Sequence, residues 1–284
     1  MFGKVFFYII PPMGKFLFFS HFAADPYFNM AFDEWMFSRV MAEPGTIYLR
    51  FYSWMPGAVT FGYNQNRDTA LDFSRVGETP VIRRITGGRA IYHDPAEYTY
   101  AVALNPLNLE NKRLVGSLSE TSGALAAALV HFLTGLGIQA AFVQRSSREN
   151  ARPDFFHKAP CFASKARYEL MAGSNKVIAS AQKRQDGSLL QHGSIKIRGV
   201  ASHPALAGCG EERCDANQPV GAKEFNDTAD LFRIKFEEYL GLDFQSGKLS
   251  EKDTEELKKI MVAVEKNALK KRVVFKQIVT VNSL

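Results

Sequence analysis

Two side chains of this sequence could together make an activated nucleophile. Cys161 stands in Pro160-Cys161-Phe162, beside a polar stretch and outside any periodic apolar run, and Lys176 follows fifteen positions later. A free thiol with a pKa near 8.5 is only about 3% thiolate at pH 7. Bringing that pKa to 7 makes it about half ionised, a change of roughly 2 kcal/mol. One lysine ammonium within a few ångströms, partly desolvated, can supply that much, and Lys176 is the candidate. Taken singly, neither residue is diagnostic. A lone cysteine also serves as a small buried hydrophobe, and a lysine near a turn as a solvated charge.

A second element is the run Arg83-Arg84-Ile85-Thr86-Gly87-Gly88-Arg89-Ala90-Ile91-Tyr92-His93-Asp94. Gly87 and Gly88 lack Cβ, so a bound group can approach their backbone N–H donors closely. Such donors suit a carbonyl oxygen that turns negative, or an anionic phosphate; the same dipeptide also makes an ordinary hairpin turn. His93, Asp94 and His192 admit a Cys-His-Asp triad with Cys161, although strand-borne histidines also hydrogen-bond within cores. Cys209, Cys214 and His203 do not specify a metal, because three ligands at that spacing are too few. We therefore expect none.

The pattern around these residues is that of an α+β domain. Lys15–Phe19 reads as a strand, and Asp25-Pro26 starts a helix, with Asp25 as N-cap and Pro26 in the first helical position, running to about Val40. Thr46–Tyr52 and Ala58–Phe61 read as strands, as do Val81–Ile85 and Ala90–His93 on either side of the diglycine, and then Glu97–Leu104. Ser117-Leu118-Ser119-Glu120 is a capping box opening a helix with apolar residues from Leu125 to Leu136, and Ile138–Val143 returns as a strand. The polar stretch 145–159 reads as a long functional loop. Arg167–Ala172, Lys176–Gln185 and Ser188–Ile197 form a meander, its second turn at Asp186-Gly187. Two helices close the chain, Lys223–Leu240 and Ser250–Ala268. Local reading alone leaves Lys176 beyond the far end of the six-residue strand Arg167–Ala172, about 20 Å from that strand's start, so residues 161–166 must fold back for the thiol and the amine to meet.

Composition narrows the class. The 284 residues are 46% hydrophobic and 23% charged, enough to bury a core without staples. Three cysteines are too few for a disulfide scaffold, which points to a reducing, cytoplasmic setting where a thiol survives. The apolar run Val5–Ile10 is too short for a signal peptide or a membrane span. Residues 1–14 read as an N-terminal extension, with Met13 as an alternative start, residues 15–245 as the catalytic domain, and residues 246–284 as a C-terminal helix and basic tail. The net charge of +6 suits an acidic partner. The basic residues are scattered without a recognition motif, so no nucleic acid is expected, and no membrane.

Together the two elements resemble the biotin/lipoate protein ligase superfamily, and within it the LipM-type, cysteine-dependent octanoyltransferases. The resemblance covers roughly residues 15–245. It rests on the Cys161/Lys176 spacing, the Arg84-x-Thr86-Gly87-Gly88 loop, Tyr168-Glu169-Leu170, Ser180-Ala181-Gln182 and Gln191-His192-Gly193-Ser194-Ile195. Near the front, Asn29-Met30-Ala31-x-Asp33-Glu34 and Arg50-Phe51-Tyr52-x-Trp54-x-Pro56 fit the same pattern. It implies a ligase-like catalytic domain with a mixed, largely antiparallel sheet and packed helices. It also implies that Cys161 takes an octanoyl group from acyl carrier protein as a thioester, that Lys176 lowers its pKa, and that Arg84, Thr86, Gly87, Gly88, His93, Gln182, His192 and Gly193 bind substrate. The acceptor it implies is a lipoyl-type domain or the glycine cleavage H protein, with no cofactor. Arg89 stands where ATP-dependent ligases carry a third glycine, which favours the transferase branch; Ser174 and Ala179 replace glycines of the pattern. The alternatives are an ATP-dependent lipoate–protein ligase and an inactive acyl- or carrier-binding module.

Overall fold

The computed structural model describes residues 14–107, 109–111, 113–143, 169–173, 175–199, 201–206 and 218–281. Cys161, Cys209, Cys214, Ser174, the stretch 145–159 and residues 1–13 lie outside the described residues. In chain order the elements are β1 (Phe16–Ala24), α1 (Pro26–Ala42), β2 (Ile47–Trp54), β3 (Ala58–Phe61), α2 (Arg67–Ala70), β4 (Val81–Arg83), β5 (Ile91–His93) and β6 (Tyr98–Leu104). There follow α3 (Leu118–Gly135), β7 (Ala141–Val143), β8 (Glu169–Ala172), β9 (Asn175–Gln185), β10 (Ser188–Ile195), α4 (Ala222–Leu240), β11 (Gln245–Ser246) and α5 (Glu251–Val281).

Eight strands form the main sheet in the order β11-β1-β2-β6-β10-β9-β8-β7. β1 runs parallel to β2 and β11, and the other pairs are antiparallel. Because side chains alternate along a strand, β2 sorts its residues into two cores. Ile47, Leu49 and Phe51 pack with the apolar faces of α3 and α4. Tyr48, Tyr52 and Trp54 pack with α1 and with Leu257 of α5. The sheet is thus sandwiched between helices, and β2, buried throughout, reads as one apolar run interrupted only by polar residues such as Arg50.

The local signals behave as their chemistry dictates. The Asp25 carboxylate accepts from the N–H groups of Tyr27 and Phe28 with Pro26 next in line, and Ser117 and Glu120 close the capping box of α3. Each such cap contributes about 1 kcal/mol. Asp186 and Gly187 take φ 49° and 76° between β9 and β10, the left-handed pair that a two-residue hairpin turn requires. α5 begins where Ser250 and Asp253 cap each other and packs along α1.

The diglycine segment is not an ordinary hairpin turn. β4 and β5 do not pair with each other; both flank β3 in a separate sheet of order β4-β3-β5. The reason is β3 itself, four consecutive buried residues that need partners on both edges. Residues 84–90 therefore cross the end of β3, where Arg84 N–H donates to the Phe61 carbonyl and Tyr63 N–H to that of Thr86.

Candidate active site

On the α1 face of the main sheet, β2 and β10 present Arg50, Tyr52 and His192 toward Asp33. Arg50 Nη1 donates to Asp33 Oδ1 at 2.8 Å, while Tyr52 OH (2.9 Å) and His192 Nδ1 (2.8 Å) meet Asp33 Oδ2. Burial alone would raise the Asp33 pKa, but the His192 hydrogen bond and the Arg50 charge outweigh it and hold the carboxyl below its usual range. An ionised carboxylate only accepts, so His192 carries its proton on Nδ1. Its Nε2 then faces the Thr86 hydroxyl at 2.7 Å.

A second cluster of the same design stands across the loop. His93 Nδ1 meets Glu97 Oε1 at 2.6 Å, its Nε2 meets Thr60 Oγ1 at 2.8 Å, and its ring stacks on Trp54 at 4.1 Å. Burial lowers the His93 pKa and keeps the ring neutral. Burial resists ionisation of Glu97 as well, yet the Lys196 ammonium 2.7 Å away and the bonds to His93 bring its pKa down to about 2. Lys196 also reaches Asp94 Oδ2 at 3.4 Å and the Tyr92 carbonyl at 2.9 Å.

Arg84 lies between the two clusters. Its Nε donates to Thr86 Oγ1 (3.3 Å) and Nη1 to Thr60 Oγ1 (2.9 Å), while Nη2 donates to the carbonyls of Gly87 (2.8 Å) and Arg89 (3.0 Å). The loop is pressed against β3, for a Cβ on Gly62 would come within 2.0 Å of the Gly88 carbonyl oxygen. Gly88 has φ 91°, a conformation that glycine tolerates and L side chains rarely adopt.

The loop borders a cavity with about 410 Å³ of space, counted to and including its open mouth. Met30, Ile91, Ala179 and Ala181 give it apolar walls, and Gly88 and Gly193 let the backbone form part of them. A Cβ at Gly193 would stand 2.6 Å from Tyr100 Cε1 and 2.8 Å from the Ala179 carbonyl oxygen, so only glycine fits there. A larger cavity of about 930 Å³ lies beyond Arg84, bordered by Glu34, Arg67, Arg83 and the α5 residues Val264 and Asn267. The apolar walls and the diglycine loop mark the first as the better home for an aliphatic chain.

The structure gathers Arg84, Gly88, His93, His192 and Gly193 around this cavity, with Thr86 directly behind it. Both nitrogens of His93 and of His192 are occupied by protein groups. Asp94 caps the Ala96 N–H and pairs with Lys196 rather than with either histidine, so the carboxylate beside His192 is Asp33 and the one beside His93 is Glu97. Gly87 N–H donates to the Gln182 carbonyl at 3.4 Å and is not turned to a ligand. The Gln182 side chain points to the opposite face of the sheet, bonding Ser122 Oγ and Gln191. Lys176 stands on β9 four residues before Ser180 of the cavity wall, about 13 Å along a strand. His203 bonds Thr79 at 3.0 Å, and no group of metal-binding side chains occurs among the described residues.

Thr60, Glu97 and Lys196 escaped the sequence reading, and Asp33, Arg50 and Tyr52 were legible only as motif positions. The signal that could have found them is polarity out of phase: Arg50 within a buried aromatic strand, and Lys196 directly after the apolar end of β10.

The lipoyl protein ligase A/B catalytic domain matches residues 25–219. The octanoyltransferase LipM of Symbiobacterium thermophilum is 34% identical over 259 residues, covering 83% of this chain and 90% of that protein. The octanoyltransferase LipM of Staphylococcus epidermidis is 28% identical, covering 83% and 91%. A crystal structure of lipoate-protein ligase A bound with ATP superimposes with a TM-score of 0.60 at 19% identity, over 87% of this chain and 94% of that one; that likeness bears on the fold.

Proposed function

The chain belongs to the lipoyl protein ligase A/B catalytic-domain family and is an octanoyltransferase of lipoate biosynthesis, and on that premise we propose a two-step transfer through Cys161. The Cys161 thiolate attacks the thioester carbonyl of octanoyl-acyl carrier protein, and the carrier's thiolate leaves, to be protonated by solvent, as the octanoyl–Cys161 thioester forms. The ε-amine of a lysine on a lipoyl-type domain, by resemblance the glycine cleavage H protein, then attacks that carbonyl. An amide forms, the nitrogen loses a proton and the Cys161 thiol is restored. Thioester exchange is nearly neutral in energy and amide formation runs downhill, so neither step calls for ATP.

The observation that carries this reading is the apolar cavity ending at the diglycine loop, in a chain whose relatives are octanoyltransferases. Burying the six methylenes of an octanoyl chain there contributes about 5 kcal/mol at roughly 0.8 kcal/mol per CH₂. Lys176 acts in this scheme as the cation that favours the Cys161 thiolate. Residues 15–245 form the catalytic unit, and the enzyme works in the cytoplasm; no described helix is long and apolar enough to cross a membrane.

Intact-mass analysis after mixing with octanoyl carrier protein in the absence of ATP tests the scheme. One octanoyl adduct is expected, removed by hydroxylamine and missing as a thioester in Cys161→Ser. An unchanged transfer rate in Cys161→Ala would sink the covalent route, and strict dependence on ATP and Mg²⁺ would support the ligase instead.

A further inference from the structure

Arg84 resembles a substrate-binding arginine in sequence, but its four hydrogen bonds described above all go to the protein's own oxygens. We infer that Arg84 is a positioning residue, oriented by two matched relays, Asp33–His192–Thr86 and Glu97–His93–Thr60, and that it presents the Gly88 N–H to the acyl carbonyl.

Each relay begins at a carboxylate that accepts a hydrogen bond from a histidine Nδ1–H and thereby fixes the tautomer. In the tautomer so fixed, Nε2 is the acceptor, and it accepts from the hydroxyl of Thr86 or Thr60. With its proton so committed, each hydroxyl turns its lone pairs to Arg84, one at Nε and the other at Nη1. Two fixed acceptors on different edges of a planar guanidinium leave it one orientation.

That orientation decides the loop. Arg84 Nη2 holds the Gly87 carbonyl, and the carbonyl and the following N–H of a trans peptide point in opposite directions. The Gly88 N–H is thereby turned away from the guanidinium, and among the described residues it donates to no partner. Gly88 lines the cavity, and a preset N–H donor there stabilises the oxyanion that forms when a thioester is attacked. Gly87 N–H is held by Gln182, so the two glycines have different work. Asp33 and Glu97 serve the reaction through the histidines, without touching substrate.

This inference rests on the octanoyl-transfer reading, and its test separates the two. Thr60→Val and Thr86→Val remove one relay hydroxyl each, whereas Thr60→Ser and Thr86→Ser keep it. Arg84→Lys keeps the charge and gives up the four-point grip, and stands in should a valine variant fold poorly. Two readouts are taken: the Gly88 amide resonance in ¹⁵N-glycine-labelled protein, and single-turnover acylation of Cys161 by octanoyl carrier protein. In the valine variants and Arg84→Lys the Gly88 amide should shift. Their limiting acylation rate should fall about tenfold or more, with the half-saturating donor concentration within about twofold. The serine variants should restore both. Valine and serine variants alike in the Gly88 resonance and in rate would overturn the inference. A wild-type protein that never forms the thioester refutes the functional reading instead, and the Gly88 resonances still decide the relay.

Discussion

Replacing Glu97 by glutamine should cost stability at neutral pH and progressively less as the pH falls from 4.5 toward 2. Glu97 is buried against Lys196 Nζ at 2.7 Å, and its pKa falls from an ordinary 4.5 to about 2, burial being overcome by the Lys196 charge and the His93 contacts. At roughly 1.4 kcal/mol per pK unit, that displacement is worth about 3 kcal/mol. A second route gives the same size, because removing one partner of a buried ion pair typically costs about 3–5 kcal/mol, and Lys196 keeps Asp94 only at 3.4 Å. The sign follows from the depressed folded pKa. The contribution is complete above the unfolded pKa near 4.5 and is lost as pH falls toward about 2. Urea unfolding of both proteins at pH 7, 5, 4 and 3 is the assay. At pH 7 the variant's midpoint should lie about 1 M lower, for an m-value near 3 kcal/mol/M, and the gap should narrow below pH 4.5, to about half or less by pH 3. His93, whose pKa is lowered by burial, erodes both proteins as the pH drops below 6.5, so the difference between them is the test. A gap of equal size at pH 7 and pH 3 would refute the electrostatic account of this cluster.

The two loop glycines should respond differently to alanine. A Cβ at Gly87 meets nothing within 4 Å, whereas Gly88 has φ 91° and its Cβ would lie 3.0 Å from Arg84 Nη2. Gly88→Ala should therefore lower the melting temperature by several degrees, for about 1–2 kcal/mol of strain, with Gly87→Ala close to the parent by calorimetry. Lys176→Met should leave the fold intact and move the alkylation profile of Cys161 to higher pH; superimposable profiles would remove Lys176 from the mechanism. Raising salt from 0.1 M to 1 M shortens screening from about 10 Å to about 3 Å. With a net charge of +6, acylation by an acidic carrier protein should slow while acylation by a small neutral octanoyl thioester barely changes; equal sensitivity would reduce the basic surface to a solubility feature.

What the sequence made legible was local. The Asp25-Pro26 start, the Ser117/Glu120 box and the Asp186-Gly187 turn each satisfy their own backbone within a few residues, so their signal survives without knowledge of the rest. The gathering of Arg84, His93, His192 and Gly193 about one cavity was legible only through resemblance to a family. The arrangement of β4 and β5 about β3 was not legible, because three short strands of similar composition can pair in more than one order. Nor was the side of the sheet taken by Gln182. It sits beside Ala181 in sequence, but alternation along β9 turns it toward Ser122. The relays were hidden for the same reason, since Asp33 and His192 lie 159 positions apart and meet only once β10 and α1 share a face.

The polar accounting of the loop bears on the choice between thioester and adenylate chemistry. A loop that wraps phosphates aims several successive N–H groups at one anion. Here the carbonyls of Gly87 and Arg89 are held by Arg84, that of Thr86 by Tyr63 N–H, and the Gly87 N–H by Gln182. Of the two glycine donors, one is engaged and one is left. A single N–H is matched to a single carbonyl oxygen and undersized for a phosphate. The apolar walls sharpen that preference, because a phosphate carried into them would lose its hydration without enough donors in return, while an octanoyl thioester brings only one strong acceptor and a chain that gains from burial. Buried ion pairs such as Asp33–Arg50 and Glu97–Lys196 often add little net stability over apolar replacements. Their place beside an apolar cavity is therefore better explained by what they hold in position, a guanidinium with one orientation and a loop with one donor facing the chain's own chemistry.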